Sequence, residues 1–438
     1  MIGAAIAGVA AAEALVAEGA DVLVSEAGPP DALDALPRFR RLGVEVAAGG
    51  HEPRHLDGAT LVVTSPGVPQ DAPVLSWAAE RGIPVWGELE LGARLTDVPY
   101  LAVTGTNGKT TTTGLIASCL RAAGLDAAAC GNIGHPFPLA AREGHDVLVV
   151  EASSFQLRFV ETFHPRVSVL LNLAPDHLDW HGSEPAYVEA KQNMMRAQGE
   201  GDTHIGNRDD ERAATVSQEA PCPVVWFRLG APADGEVGYV DGALTSRVAG
   251  TDSMGPVDGE RAGYRADAAA AAAASLAFGV SPAAIRQGIA SHTPARHRGE
   301  VVALIDGVRF VDNSKATNVH AALAAIDGAV GAVLIAGGRA KGVDLSPLRS
   351  RSDRLAGVVA IGESAAEVES VFEGLVTVRR AGTIEEATRE ALALAPRPGT
   401  VLLAPACASW DMFRDYAERG DRFVAAARAL MEEVAARG

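Results

Sequence analysis

The chain has 438 residues, of which 48% are hydrophobic and 21% are charged, and its formal net charge is −17. This length and composition predict two or three globular domains, each large enough to bury a core. The strong negative charge argues against nucleic acid and against an anionic membrane surface as partners. The four cysteines are far apart and form no Cys-x-x-Cys pair, which favours reduced thiols in a cytoplasmic protein over a disulfide frame or a zinc site.

Residues 1–96 alternate between helical and strand patterns, which is typical of an α/β domain. Residues 3–8 read Gly-Ala-Ala-Ile-Ala-Gly and open a helix, and the next strand ends in Glu26. This pattern resembles a dinucleotide-type fold with a degraded glycine motif. Only two residues precede Gly3, so the first strand is predicted to be nearly missing, through a misassigned start codon or a domain that begins one strand short.

Residues 104–111 read Thr-Gly-Thr-Asn-Gly-Lys-Thr-Thr and follow a short apolar strand. A helical stretch comes directly after them, so the predicted order is strand, glycine loop and helix N-terminus, which is a site for phosphate. Lys109 supplies a positive charge, and the Thr110 hydroxyl is placed to bind Mg²⁺. The match to the general P-loop is imperfect, because Val103 and Thr104 stand where a glycine is usual, and a chance Gly-Lys-Thr loop is the alternative.

Two further apolar runs, residues 146–151 and 167–172, read as buried parallel strands that end in polar residues. Glu151 closes the first, where a magnesium ligand opposite Thr110 is needed; the alternative is that Glu151 and the two serines Ser153 and Ser154 cap a helix. His177 follows the second strand and is either a metal ligand or a histidine of a surface loop. Lys191 lies in a helical stretch that by itself predicts a solvated lysine.

The chain from about residue 294 predicts a hairpin over 301–311 and later strands over 332–336, 358–361, 376–378 and 400–404. The loops at 312–318, 336–342 and 405–411 follow strands and are rich in polar side chains. The second of them carries two cations suited to an anionic substrate. Residues 230–262, rich in Gly, Asp and Pro, predict a peripheral hairpin region.

Taken together, the motifs at residues 104–111, 130–134, 151–157, 176–177, 314–318 and 404–409 resemble those of the Mur ligases, in the same order along the chain. The resemblance implies three domains: a Rossmann-like domain for a UDP substrate (1–96), a central P-loop ATPase with a mainly parallel sheet (97–293), and a Rossmann-like domain for an amino acid (294–438). It also implies an ATP-dependent ligase of peptidoglycan precursor synthesis that adds D-glutamate to UDP-N-acetylmuramoyl-L-alanine through an acyl phosphate. The enzyme is expected to be a cytoplasmic monomer.

Site residues follow from the resemblance position by position. The catalytic set is Lys109, Glu151, His177 and Lys191. Two Mg²⁺ ions are assigned to Thr110, Glu151, His177 and Lys191, the last carbamylated on its amine. ATP is assigned to Gly105, Thr106, Asn107, Gly108, Lys109, Thr110, Thr111, Asp267, Arg298, Asn313 and Lys315. The UDP substrate is assigned to Glu26, Ser65, Gly67, Asn132 and Ser153, and the amino acid to Thr317, Lys341, Ser409 and Tyr416.

Some positions depart from the family pattern. Tyr264 and Asp267 stand where two asparagines near the adenine are usual, and Ala27 and Gly28 lack the polar side chains expected beside the uridine. Two alternatives are therefore open: the same reaction with L-glutamate or another acyl and amino-acid pair, and a non-catalytic nucleotide-binding scaffold. The scaffold is disfavoured by the intact set of Lys109, Glu151, His177 and Lys191.

Overall fold

The structure, a computed structural model, describes residues 1–248, 250, 252–257, 262–293, 295–329 and 331–436. The chain forms two compact units. The first comprises Met1–Leu173, Ser183–Gly259 and Tyr264–His292, and the second Ala174–Gly182, Glu260–Gly263 and Thr293–Gly438. Pro294, where the third domain was predicted to begin, lies outside the described residues, and the three domain ranges stay a prediction.

The first unit begins with a small parallel sheet. Its elements are α1 (Ile6–Ala17), β1 (Leu23–Glu26), α2 (Leu36–Arg41), β2 (Glu45–Ala48), β3 (Val62–Thr64), α3 (Pro73–Glu80), β4 (Val85–Gly87) and α4 (Glu88–Arg94), with 3-10 turns at Pro30–Ala32 and Pro53–Leu56. β1 pairs with β2 and β3 with β4, and Ile2 bridges Ser25 and Thr64 in parallel, so the first residues run between β1 and β3. A Cβ on Gly8 would lie 2.1 Å from the Gly3 carbonyl oxygen, which explains the glycine at that position.

A large sheet follows. The next elements are β5 (Tyr100–Thr104), α5 (Lys109–Ala122), β6 (Ala127–Gly131), α6 (Phe137–Ala140), β7 (Val147–Glu151), α7 (Ser154–Leu157), β8 (Val167–Leu170), α8 (Leu178–His181, in the second unit), α9 (Glu184–Gln192), a 3-10 turn at Asn193–Met195, β9 (Thr203–Asn207), α10 (Glu211–Ser217), β10 (Val224–Phe227), β11 (Glu236–Val240), β12 (Ala243–Ser246), β13 (Asp252–Pro256), α11 (Ala262–Ala277) and α12 (Pro282–Ser291).

In the described residues this sheet has the order β13-β12-β11-β10-β9-β8-β5-β7-β6. Neighbouring strands from β6 to β11 are parallel, and β12 and β13 are antiparallel, as the predicted hairpin region requires. β5 lies between β7 and β8, so the sheet has a topological switch point at the carboxyl end of β5. In open α/β sheets ligands bind at such a point.

Small residues bring the helices of this sheet close to one another. Residues 268–274 of α11 are all alanine and fully buried, so this helix packs closely against its neighbours. A Cβ on Gly288 of α12 would lie 2.4 Å from the Cα of Cys119 in α5, so α12 lies directly against α5. This packing fixes α5, whose N-terminus carries the glycine loop.

The second unit is built on another α/β sheet. Besides α8, its elements are β14 (Glu300–Ile305), β15 (Val308–Asp312), α13 (Val319–Asp327), β16 (Ala332–Gly337), a 3-10 segment at Ser346–Arg354, β17 (Leu355–Ile361), α14 (Ala365–Phe372), β18 (Thr377–Arg380), α15 (Ile384–Leu394), β19 (Gly399–Leu403) and α16 (Tyr416–Ala435).

Its strand order, within the described residues, is β14-β15-β19-β16-β17-β18. β14 and β15 form the predicted antiparallel hairpin. The other neighbouring strands of this sheet, within the described residues, pair in parallel. The predicted α/β class, with mainly parallel sheets, is confirmed. None of the helices in the described ranges has the length and apolar character needed to cross a membrane.

Candidate functional site

The glycine loop joins β5 to α5 and has the shape of an anion-binding turn. Gly108 caps the helix with φ 86°, a left-handed conformation that favours glycine. A Cβ there would lie 2.2 Å from Asp267 Oδ1, so the predicted nucleotide-binding aspartate lies against the loop itself. The 14-residue helix α5 begins at Lys109, three residues earlier than the predicted helical stretch, so its N-terminal dipole favours an anion at this loop.

Asn172 holds the loop from the end of the neighbouring strand, and the sequence analysis missed it. Its side chain accepts a hydrogen bond from the Asn107 backbone N–H (2.8 Å) and donates one to the Asn107 carbonyl (3.1 Å). Its carbonyl accepts from the Thr106 N–H at 3.0 Å. An asparagine directly after a buried strand beside the switch point is the signal that could have identified it.

Two lysines contact the same carbonyl of this loop. Lys109 Nζ donates to the carbonyls of Gly105 (2.8 Å) and Thr106 (2.9 Å), and Lys191 Nζ donates to that of Gly105 at 2.8 Å. Lys191 is only 3% exposed, because Tyr187, one turn earlier on α9, hydrogen-bonds Thr106 Oγ1 at 2.9 Å. The expectation of a solvated lysine, drawn from the residues alone, is therefore wrong.

Glu151 ends β7 beside the loop and is 3% exposed. Its Oε1 accepts a hydrogen bond from Asn132 Nδ2 at 2.9 Å, whereas its buried Oε2 has no hydrogen-bond partner in the described part of the chain. An unpaired buried carboxylate oxygen is costly, and oxygen is the ligand that Mg²⁺ prefers. The carboxylate of Glu151 therefore fits a cation. No group of three or more His, Cys, Asp or Glu side chains forms a metal site among the described residues.

Ser153 has a structural role that the sequence left open as an alternative. It caps α7: its hydroxyl accepts from the Gln156 N–H (3.3 Å) and donates to Gln156 Oε1 (2.8 Å). Gln156 Nε2 in turn donates to Glu88 Oε2 at 3.1 Å. The capping alternative accounts for this serine, and its predicted contact with the substrate stays a prediction.

A cavity of about 610 Å³ opens at the glycine turn of the small sheet, and the predicted Glu26, Ser65 and Gly67 all line it. Glu26 accepts from the backbone N–H groups of Ala4 (2.6 Å) and Gly28 (2.8 Å). Ser65 is 4% exposed, and its hydroxyl has no partner within the residues that the structure covers. The cavity thus offers a polar group to a ligand.

His51 also lines this cavity and was not identified from the sequence. Its Nδ1 lies 2.8 Å from the Ser25 hydroxyl, which also contacts His55 Nδ1 at 2.9 Å. Burial lowers the pKa of His51, so the ring is neutral near pH 7. A lone histidine after two glycines gave no sequence signal, because its position depends on the pairing of β1 with β2.

In the second unit, three predicted loops follow the adjacent strands β15, β19 and β16 and are joined by main-chain hydrogen bonds. The Ala406 N–H donates to the Ala316 carbonyl at 2.9 Å. Arg339 and Ala408 exchange backbone hydrogen bonds of 2.9 and 3.0 Å. A Cβ on Gly338 would lie 2.3 Å from the Ala408 carbonyl oxygen, so this approach requires glycine. The loops that carry Thr317, Lys341 and Ser409 therefore lie together.

Lys341 forms a buried ion pair with Asp176. Its Nζ lies 2.6 Å from Asp176 Oδ1, and Asn318 Nδ2 donates to Oδ2 of the same carboxylate at 3.1 Å. Burial acts to raise the pKa of Asp176, but the charges of Lys341 and His177 and the hydrogen bonds from Lys341 and Asn318 together outweigh it, so the pKa is lowered. The sequence did not identify Asp176 or Asn318 as site residues. His177, in the left-handed region with φ 54°, is in this unit, and its convergence with Glu151 stays a prediction.

The remaining predicted residues of the second unit lie around the start of α16. Lys315 Nζ lies 3.7 Å from the centroid of the Tyr416 ring, a cation–π contact. Arg298 follows His297, whose Nδ1 is 2.7 Å from Asp312 Oδ2, and both of these residues are buried. The structure thus brings Lys315 and Tyr416 together.

Comparison with known proteins gives a consistent result. A family model described as "Mur ligase middle domain" matches residues 103–250, and one described as "Mur ligase MurD-like, N-terminal domain" matches residues 1–87. A UDP-N-acetylmuramoylalanine--D-glutamate ligase of Frankia casuarinae is 45% identical over 98% of this chain and 93% of its own. The protein of that name from Streptomyces avermitilis is 41% identical over 97% of this chain and 96% of its own.

Solved structures share the fold at lower identity. The UDP-N-acetylmuramate-alanine ligase MurC of Thermotoga maritima is similar with a TM-score of 0.60 and 17% identity, over 98% of both chains. A pseudomurein peptide ligase type C of Methanothermus fervidus gives a TM-score of 0.60 at 19% identity, over 92% of this chain and 95% of its own. These similarities concern the fold.

Proposed function

Because the chain belongs to the Mur ligase family, we propose that it is the ATP-dependent ligase that joins D-glutamate to UDP-N-acetylmuramoyl-L-alanine in peptidoglycan precursor synthesis. Relatives at 45% and 41% identity over nearly the whole chain carry the name of this activity. The observation that carries the proposal is Glu151: a buried carboxylate with an unpaired oxygen, on the strand beside a glycine loop that two lysines contact.

The reaction has two steps. An oxygen of the substrate's alanyl carboxylate attacks the γ-phosphorus of ATP, a P–O bond breaks, ADP leaves, and an acyl phosphate forms. The amine of glutamate then attacks the acyl carbon, the C–O bond to phosphate breaks, and the amide forms as the amine gives up a proton. The protein's task is to orient these groups and to stabilise the charge on the phosphoryl group.

The glycine loop and Lys109 are proposed to hold the ATP phosphates. The backbone of residues 105–108 and the N-terminus of α5 favour negative charge, and Lys109 exchanges its loop carbonyls for phosphate oxygens when ATP binds. Thr110 and Glu151 are proposed to hold one Mg²⁺. When bound, Mg²⁺ neutralises charge on the transferred phosphoryl group. The proposed contacts of Thr106, Asn107, Thr111, Asp267, Arg298, Asn313 and Lys315 with ATP belong to the same hypothesis.

Lys191 is proposed to be carbamylated. Its ammonium would lose one proton, the free amine would form an N–C bond with carbon dioxide, and a second proton would leave. The cation would thereby become a carboxylate-like anion able to share a second Mg²⁺ with His177. The position of Lys191 supports this reading: the side chain is 3% exposed and lies against the loop that already receives Lys109. Lys109 already places a positive charge at the Gly105 carbonyl, so a second cation there would stabilise the site less than an anion that binds a metal ion.

The second unit is proposed to bind glutamate. Lys341, Thr317 and Ser409 are carried on loops that main-chain hydrogen bonds hold together, and Tyr416 starts the helix beside them. Lys341 is the cation for a glutamate carboxylate, so the amino acid competes with Asp176 for its ammonium.

The cavity at Glu26 is proposed to bind the UDP end of the substrate, with Asn132 and Ser153 along its muramoyl part. The Ser65 hydroxyl has no hydrogen-bond partner among the described residues and can bind a ligand. The neutral His51 ring adds a polar group to the cavity, whereas Ala27 and Gly28 have no polar side chain. Replacement of His51 by Ala is expected to raise the KM for the UDP substrate by about 10-fold, the cost of one hydrogen bond of ~1 kcal/mol or slightly more. The KM values for ATP and glutamate should not change.

Phosphate release tests the proposal. Purified protein is offered ATP, Mg²⁺ and UDP-N-acetylmuramoyl-L-alanine with either D- or L-glutamate. We expect release that depends on D-glutamate, with the peptide product confirmed by mass spectrometry. Release with L-glutamate alone would contradict the choice of amino acid, and no release with either would favour a nucleotide-binding scaffold.

A further inference from the structure

Arg419 is a fully buried arginine that contacts two of the loops described above. It lies in the first turn of α16 and has 0% of its surface exposed. Its Nε donates to Ser314 Oγ at 3.0 Å, and one terminal nitrogen donates to the Ser314 carbonyl at 2.8 Å. The other terminal nitrogen donates to the Cys407 carbonyl at 3.1 Å. One guanidinium thus joins residues 312–318 to residues 404–409.

This placement is unfavourable for a cation. Burial lowers the pKa of Arg419 to about 10, the N-terminal turn of a helix repels positive charge, and no carboxylate of the described chain lies within hydrogen-bond distance of it. What the arginine offers in return is geometric: its planar guanidinium donates to groups of two loops at once.

Each of these loops carries residues of the proposed function, on which this inference rests. Residues 312–318 carry Lys315, which is proposed to bind ATP, and Thr317, which is proposed to bind glutamate. Residues 404–409 carry Ser409, which is also proposed to bind glutamate. Ser314 also donates from its hydroxyl to the Tyr416 carbonyl at 2.7 Å. We propose that Arg419 is a positioning residue that fixes the ATP contacts and the glutamate contacts of the second unit relative to each other.

Arg419→Lys tests this, because lysine keeps the charge and lacks the planar fork that reaches both loops. We expect the KM values for ATP and for D-glutamate to rise together, each by about 10-fold, the cost of a lost charge-assisted hydrogen bond. The KM for the UDP substrate, proposed to bind in the first unit, serves as internal control and should not change. Arg422→Lys is the matched variant: it lies on the same helix, is exposed and pairs with Glu385 at 3.0 Å, and it should leave all three KM values unchanged.

A loss of active protein with unchanged KM values would show a purely structural arginine and would overturn the proposal. Should Arg419→Lys fail to fold, Ser314→Ala decides, because it removes only the hydroxyl between Arg419 and Tyr416. A joint, smaller rise of the same two KM values would support the proposal, and wild-type values would overturn it. Wild-type phosphate release is measured first, so failure of the proposed reaction is recognised separately.

Discussion

Glu151 in the first unit and Asp176 in the second are both buried carboxylates, but their surroundings differ. Asp176 is fully paired, with a lysine on one oxygen and an amide on the other. Glu151 has an amide on one oxygen, and its other oxygen has no partner in the described residues. A buried charge needs a counter-charge. The carboxylate of Glu151 is therefore proposed to accept a cation from outside, whereas a ligand of Lys341 would have to displace Asp176.

Removal of the loop lysine should give the largest effect. Lys109→Ala is expected to lower the rate of phosphate release by at least about 1,000-fold, because the transferred phosphoryl group loses its fixed positive charge. Its unfolding midpoint in urea should stay near that of the wild type, since the hydrogen bonds of the lysine to the Gly105 and Thr106 carbonyls lie within its own loop. Turnover close to the wild-type rate would contradict the proposed ATP site.

Two buried glutamates offer a matched pair of variants. Glu151→Gln should lower turnover by about 100-fold, because an amide is a poorer ligand for Mg²⁺, and should leave stability unchanged since one oxygen is unpaired already. Glu90→Gln should lower stability and leave turnover per folded molecule unchanged. The Glu90 carboxylate accepts hydrogen bonds from Arg94 (2.7 Å) and from the Thr162 hydroxyl (2.6 Å), so loss of its charge costs about 3 kcal/mol in the free energy of unfolding.

The outcome of this pair separates a metal-binding carboxylate from a structural one. Urea denaturation and phosphate release measured on the same preparations give both quantities. The same loss of stability in both variants, with equal turnover, would mean that Glu151 has no role beyond folding.

Lys341→Met should affect both stability and substrate binding in the second unit. It leaves Asp176 buried without its counter-charge, at a cost of about 3–5 kcal/mol in the free energy of unfolding. It should also raise the KM for D-glutamate by about 10- to 100-fold, with the KM for ATP unchanged. The double variant with Asp176→Asn should regain most of the stability and none of the affinity. Recovery of both would show that Lys341 serves only the ion pair.

Acid should destabilise the first unit before it breaks the ion pair of the second. Burial lowers the pKa of His204 to about 3, and its ring lies between Ser168 (2.7 Å) and Ser217 (2.9 Å). The unfolded chain takes up a proton at about pH 6.5, so stability falls as the pH drops below that value, by at most about 1.4 kcal/mol per pH unit. Asp176, with a lowered pKa, contributes stability that is lost only below about pH 3.9.

Denaturation at a series of pH values measures this slope. His204→Gln should flatten it between about pH 6.5 and pH 4.5, because the glutamine amide can contact the same serines and binds no proton. An unchanged slope would assign the pH dependence to other groups.

The sequence predicted those parts of the molecule that depend on local pattern. The glycine loop, the buried strands around it and the hairpin at residues 301–311 are all present, because their signals lie within a few neighbouring residues. Lys191 shows the limit of this reasoning. The composition of α9 is that of a solvated helix, whereas contacts with the glycine loop, which is far away in the chain, bury its lysine.

Other site residues were missed for a related reason. Asn172, His51 and Arg419 belong to no short motif, and each acts through a partner that is distant in sequence. Asp176 was seen as part of an Asp-His pair, but its lysine lies 165 positions further on. Side chains within short motifs give sequence signals, whereas those that depend on a partner distant in sequence become visible only in the folded chain.

The main-chain hydrogen bonds among the three loops of the second unit have an evolutionary consequence. Main-chain groups of Ala316, Arg339, Pro405 and Ala408, together with the Arg419 side chain, join these loops, so the framework does not depend on the side chains of Thr317 and Ser409. With these two residues binding the amino acid, as proposed, substitutions there would alter the choice of amino acid while the scaffold persists. New substrate preferences are accessible to this architecture through single codon changes.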